Sequence, residues 1–392
     1  MEQQIKEYDS LLELIDDLEV KGISGKRKED IVKRFLFLKA RKKEIPFSGG
    51  FELTPLCNFD CKMCYVHLTK GQMTKEQELL SADQWIDIMR QACDMGMMYA
   101  DLTGGECLTY PGFQRVYMYL LSRGVQVSVL TNGSLITDEI IDLFKKYPPE
   151  IVQVSLYGSN NDAYERVTGQ RAFDTVTAGI HKLKQNGIRV KAAIMPHRFM
   201  REDAEALVKS VHSLGIDSAL GVVNLPARSN TGRELENYIA ESELSAKLRI
   251  AVEEINKPTV DEPAQKEEEF WFDVKGSTDQ GGIPCASGRC SFHVNWKGEL
   301  LPCIPFSEVK ASVFENGFAD AWTLVKRKMK TYRSPGECST CDMRNECMTC
   351  PAEKTFGILN GVLNTSVCDR LRSYLKAKES LIVQKGGLGG EE

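Results

Sequence analysis

Leu56-Cys57-Asn58-Phe59-Asp60-Cys61-Lys62-Met63-Cys64 follows directly on the short apolar, strand-like run Phe51 to Thr54. The spacing CxxxCxxC lets three thiolates wrap one corner of a cubane iron–sulfur cluster, one fewer than a closed cluster needs. The fourth iron is then open to another ligand. A zinc site on the same cysteines would need a fourth ligand, and His67 is the only nearby candidate.

The next strand-like run, Met98 to Leu102, ends in Thr103-Gly104-Gly105-Glu106. Paired glycines let the backbone approach a ligand closely, and Glu106 can accept hydrogen bonds from an ammonium group. A glycine pair after a strand is on its own only a turn signal. Together, the cysteine triplet and this motif resemble the radical SAM superfamily, in which the open iron binds the amine and carboxylate of S-adenosylmethionine (SAM) and a Gly-Gly-Glu motif holds the amine. The resemblance implies an α/β fold, the partial (β/α)₆ TIM-like barrel of that superfamily, and assigns Cys57, Cys61 and Cys64 to the cluster and Gly104, Gly105 and Glu106 to SAM.

Eight of the thirteen cysteines lie between Cys285 and Cys368. Cys285, twelve residues, Gly298, four residues and Cys303, followed by Cys338, Cys341, Cys347, Cys350 and Cys368, resemble the SPASM extension of radical SAM proteins, which carries two auxiliary [4Fe-4S] clusters. The interval Cys347 to Cys350 is one residue shorter than the family pattern. By resemblance, Cys285, Cys290, Cys303 and Cys350 hold one auxiliary cluster and Cys338, Cys341, Cys347 and Cys368 the other, giving three [4Fe-4S] clusters in all. A pair of zinc ribbons on the two CxxC pairs would have a short gap between pairs and would leave four cysteines unexplained.

Thirteen cysteines in a chain without an export signal point to metal or cluster binding in a reducing, cytoplasmic compartment rather than to disulfides. Cys93, in step with Ile86, Met89 and Met97, reads as packing. Cys107 reads as packing too, with a hydrogen-donor role as the alternative. The 392 residues, 42% of them hydrophobic, can bury a substantial core. A formal net charge of −5 without a basic stripe implies no nucleic-acid partner, and no apolar run is long enough to cross a membrane.

Residues 1–46 read as a helical extension, with an acidic helix around Leu11 to Leu18 and a basic one around Ile31 to Ala40. From 47 to 223, six strand-like runs alternate with helical ones, which implies parallel pairing with helices outside. Residues 224–276 form a bridge, 277–372 the SPASM-like domain, and 373–392 a terminal helix and disordered tail. By resemblance, Ser155 in Ser155-Leu156-Tyr157-Gly158 contacts SAM, although Tyr157 replaces the family's aspartate. Arg166 or Arg171 faces the SAM carboxylate, and Met195 packs on the adenine.

SPASM proteins resembling this chain include maturases of ribosomally made peptides, sulfatase maturases and enzymes acting on amino sugars. Ile304 stands where the sulfatase maturases carry an aspartate, which argues against their oxidation. The implied function is generation of a 5′-deoxyadenosyl radical and hydrogen abstraction from a precursor peptide, giving a crosslink or an epimer. The implied partners are a reducing flavodoxin- or ferredoxin-like donor and a separate leader-recognition protein. A radical enzyme for a small molecule such as an amino sugar is the alternative, and a noncatalytic iron–sulfur or zinc scaffold the third reading.

Overall fold

The computed structural model describes residues 10–20, 25–221, 240–256, 285–347 and 349–386. The expected acidic stretch Lys257 to Glu269 and the tail from 387 lie outside the described residues. In chain order the elements are α1 (Leu11–Val20), α2 (Gly25–Lys43), β1 (Ser48–Glu52), α3 (Lys70–Thr74), α4 (Ala82–Asp94), β2 (Tyr99–Thr103), α5 (Phe113–Ser122) and β3 (Gln126–Thr131). There follow α6 (Asp138–Lys146), β4 (Ile151–Leu156), α7 (Asn161–Thr168), α8 (Phe173–Gln185), β5 (Val190–Ile194), α9 (Ala204–Leu214) and β6 (Asp217–Leu220). The last group is α10 (Ser242–Ile255), β7 (Ser291–Val294), β8 (Glu299–Leu301), β9 (Ala311–Ser312), α11 (Val313–Met329, kinked at Gly317) and α12 (Thr365–Gly386).

Strands β1 to β6 pair in parallel and in consecutive order, which is the partial (β/α)₆ barrel. Alternation along the strands separates two faces. Leu102, Val127, Val129, Val152 and Val154 are fully buried beneath the helices, whereas Asp101, Ser128, Gln153 and Ser155 face the concave interior and are half-buried. Helix α4 shows how the outer layer is specified. Ser81 accepts from Gln84 N while the Gln84 side chain accepts from Ser81 N, a capping box, and Trp85, Ile88, Met89 and Ala92 then recur at helical spacing into the core.

The cysteine-rich part continues the same sheet. Strand β7 pairs in parallel with the free edge of β1, and β8 and β9 add antiparallel strands beyond it. Two glycines inside β1 make this junction: a Cβ on Gly49 would collide with the Phe292 ring, and one on Gly50 would sit 2.5 Å from His293 Nδ1. Such glycines mark a close approach by a neighbour. Phe292 lies between Phe51 (5.8 Å) and Phe318 (5.0 Å), so the two parts also share a core.

At the other edge, Asn256 takes the place of a strand neighbour for β6, its side chain accepting from Ser218 N (2.9 Å) and donating to Ser218 O (2.7 Å). Helix α12 packs on α10, where the Tyr374 hydroxyl donates to Glu253 (2.7 Å). Helix α2 closes the amino-terminal end of the barrel through Phe37, which packs on Phe47 (4.9 Å) and Tyr99 (5.4 Å).

Candidate active site at the carboxyl ends of the strands

The loop carrying Cys57, Cys61 and Cys64 leaves the carboxyl end of β1 and is fixed by its backbone. Asp60 N and Lys62 N donate to the carbonyls of Thr168 and Val167 at the end of α7 (both 2.9 Å). Sulfur atoms in the loop already have donors: Phe59 N to Cys57 Sγ and His67 N to Cys64 Sγ (both 3.3 Å), and Asn132 Nδ2 to Cys57 Sγ at 3.7 Å. Donors aimed at sulfur suit thiolates that hold an iron–sulfur cluster. All three cysteines act electrostatically on the Tyr157 phenol. Burial pushes the Cys57 thiol up to about 12, so a bound cation is what would hold it as thiolate. His67, the candidate fourth zinc ligand, has its Nδ1 3.2 Å from Asp60.

Gly104 and Gly105 admit backbone rather than open space. Gly105 N donates to Thr54 O (2.7 Å) and Glu106 N to Leu56 O (2.9 Å), and a Cβ on Gly104 would lie 2.5 Å from Thr54 O. The pair therefore lets the end of β2 lie against the start of the cysteine loop. Glu106 is 1% exposed. Its carboxylate accepts from Asn132 N (2.7 Å), Thr131 Oγ1 (2.8 Å) and Leu108 N (3.1 Å). Burial raises its pKa against the pull of these donors. Asn132, which the sequence reading passed over as a site residue, joins this group to the cluster loop by donating to Asn58 Oδ1 (2.8 Å).

The other expected residues are placed less uniformly. Ser155 faces the interior and pulls the pKa of the Tyr157 phenol down against its burial. Met195 follows β5 and packs close to Gly221. Arg166 is exposed on α7, and Arg171 is held at the surface by Asp162 and by Glu165 (3.0 Å). Cys107 is fully buried with its thiol directed at Leu130 O (3.3 Å), and Cys93 packs half-buried on α4.

The carboxyl-terminal thiols act on one another, and Cys338, Cys285 and Cys350 all act on the Tyr332 phenol. Cys285 acts on Cys290, Cys303 and Cys350, and Cys350 also acts on Cys303, which burial chiefly and these neighbours push up to about 12. Cys341, Cys347 and Cys368 act on Cys338. Burial also raises Cys347, but hydrogen bonds from Thr349 and Lys354 outweigh it and leave its pKa lowered. Among the described residues no three of these side chains lie together closely enough to hold a metal ion.

Residues 51–211 match the model of the radical SAM superfamily. These residues are a radical SAM domain. Among curated relatives of the chain, the subtilosin biosynthesis protein AlbA of Bacillus subtilis is 25% identical over 267 residues, which are 67% of this chain and 56% of AlbA. PqqA peptide cyclase of Streptomyces rochei is 24% identical over 306 residues, 76% of this chain and 80% of the cyclase. The fold is shared with Streptococcus suis SuiB bound to its precursor peptide SuiA, with TM-score 0.60, 14% identity, and coverage of 91% of this chain and 88% of SuiB.

His197, just past β5, is a further buried group at this end of the barrel. Among the described residues neither ring nitrogen has a hydrogen-bond partner at ordinary distance, and burial takes its pKa down to about 4 against a weaker pull from the Tyr157 backbone. A depressed histidine favours the fold fully above the unfolded value of 6.5, and that contribution is lost as pH falls toward 4, a change of about 3 kcal/mol. Thermal midpoints measured from pH 7 to pH 4.5 should therefore fall more steeply for the wild type than for His197→Leu.

Proposed function

We propose that this radical SAM enzyme holds three [4Fe-4S] clusters, cleaves SAM reductively and modifies a ribosomally made precursor peptide by crosslinking or epimerisation. The observation that carries the reading is the match of residues 51–211 to the radical SAM superfamily, with the loop of Cys57, Cys61 and Cys64 at the carboxyl end of β1. The curated relatives that act on peptides support the substrate class.

When bound, the open cluster supplies the electron that converts SAM into a hydrogen-abstracting radical. The chain's own residues do the rest. Cys57, Cys61 and Cys64 leave one iron for SAM, and Asn132 holds the loop in place through Asn58. Ser155 offers a hydroxyl to the SAM side of the mouth, and Gly104 and Gly105 bring their backbone there. The covered helix layer and α2 keep water from the outer face of the sheet. The two four-cysteine sets would carry electrons from the substrate to a flavodoxin- or ferredoxin-like partner. Leader recognition would fall to a separate protein. Thirteen free thiols suit a reducing cytoplasm, and among the described residues no helix is long and apolar enough to cross a membrane.

The test is anaerobic reconstitution followed by iron analysis, a 5′-deoxyadenosine assay with SAM and dithionite, and mass spectrometry of a short peptide encoded beside the gene. Expected are about twelve irons per chain, deoxyadenosine, and a peptide lighter by two hydrogens for a crosslink or carrying solvent deuterium for an epimer. Zinc in place of iron, or deoxyadenosine with no change in the peptide, would reject the reading.

A further inference from the structure

A row of ionisable groups crosses the barrel interior where the cysteine-rich part joins it. Asp101 on β2 and His293 on β7 are both in register with Gly50 of β1, one on each side. His293 leans over the space a side chain at Gly50 would fill, and its Nε2 lies 3.5 Å from Glu52 Oε2. Glu52 is fully buried and His293 4% exposed, whereas Asp101 is half-buried and faces the concave interior. Ser128, in register with Asp101 on β3, lies on the same face and pulls the pKa of its carboxyl down. The row thus has a closed end, Glu52 with His293, and an open end, Asp101.

Its place along the strands is specific. Cys290 O accepts from Phe47 N (2.9 Å) and Ser48 N (3.1 Å) at the start of β1, while Cys57 follows the end of that strand. His293 is three residues beyond Cys290, about 10 Å at strand rise. The row therefore lies along β7, β1 and β2 between the loop of Cys57 and the turn of Cys290, with Asp101 on the concave face of the sheet.

We infer that Asp101 is the carboxylate base that takes the substrate's proton during oxidation, with His293 and Glu52 as positioning residues behind it. The assignment rests on the peptide-modifying reading above. It also supplies the carboxylate whose sulfatase-type position is occupied by Ile304. In a crosslinking step, a substrate carbon radical and a second side chain bearing X–H form a C–X bond. The X–H bond breaks, its proton goes to an Asp101 Oδ, and the remaining electron goes to an oxidised iron–sulfur cluster as one-electron acceptor. Burial raises the Asp101 pKa, opposed by Ser128, His293 and Lys33, so it is better placed to hold a proton near neutrality than an exposed aspartate.

The test compares reconstituted wild type, Asp101→Asn and Asp101→Glu with the precursor peptide. Asp101→Asn should form deoxyadenosine at close to the wild-type rate and bind peptide unchanged, yet lose product by about 100-fold or more. Asp101→Glu should recover part of the product. Without SAM or peptide, the protonated-carboxyl infrared band should lose in Asp101→Asn a component that titrates above the ordinary aspartate range. His293→Asn should move the acid limb of product formation to higher pH. Equal loss of deoxyadenosine and product in Asp101→Asn, or no loss of product, would overturn the assignment while leaving the peptide reading intact. A wild type that leaves the peptide unchanged would reject both.

Discussion

Replacing Cys57, Cys61 and Cys64 together by alanine should lower the iron content from about twelve to about eight per chain and abolish 5′-deoxyadenosine formation. The loss is expected to be selective because these three thiols share one loop after β1, while the other eight candidate ligands lie in the carboxyl-terminal part of the chain. The loop should survive the change. Its anchors are the backbone bonds of Asp60 and Lys62 to the end of α7 and of Glu106 to Leu56, none of which uses a sulfur. Iron analysis, electron paramagnetic resonance of the reduced protein and a deoxyadenosine assay on the same sample check this. A variant that kept all twelve irons, or that still cleaved SAM, would place the open cluster elsewhere.

Much of this arrangement was legible in the sequence because its signals are periodic or chemically exclusive. The alternation of apolar runs pointed to six parallel strands, and the cysteine triplet marked the loop that follows the first of them. What was not legible depended on contacts between distant strands. Gly49 and Gly50 fell before the strand-like run read from Phe51 to Thr54, whereas β1 spans Ser48–Glu52, and only the rings of Phe292 and His293, more than two hundred residues away, explain them. A glycine pair inside an otherwise apolar strand was the available clue. The same lack of partner information hid the continuity of the sheet from β1 into β7, which crosses the domain boundary expected at 277. Arg166 and Arg171 could not be sorted by sequence because a surface pair and a ligand contact use the same residue; Arg171 has surface partners in Asp162 and Glu165.

Glu106→Ala should destabilise the protein by about 3 kcal/mol or more, even without SAM. Residue type and motif position suggested an amine ligand, but the carboxylate is surrounded by the chain's own donors. Removing it leaves Asn132 N, Thr131 Oγ1 and Leu108 N facing an empty, water-poor space. Gln in its place keeps one acceptor oxygen but turns an NH₂ group toward one of these donors, so Glu106→Gln should be destabilising too. The damage should reach the cluster, since Asn132 carries the contacts to Asn58 and Cys57. Thermal unfolding of the SAM-free protein is the direct measurement, with a midpoint lower by roughly 5–10 °C expected for Glu106→Ala. If the midpoint stayed unchanged and only SAM affinity fell, Glu106 would act on the ligand alone. If both fell, its carboxylate would be setting the mouth of the barrel by holding the ends of β2 and β3 against the cysteine loop, with any contact to the SAM amine made from that fixed position.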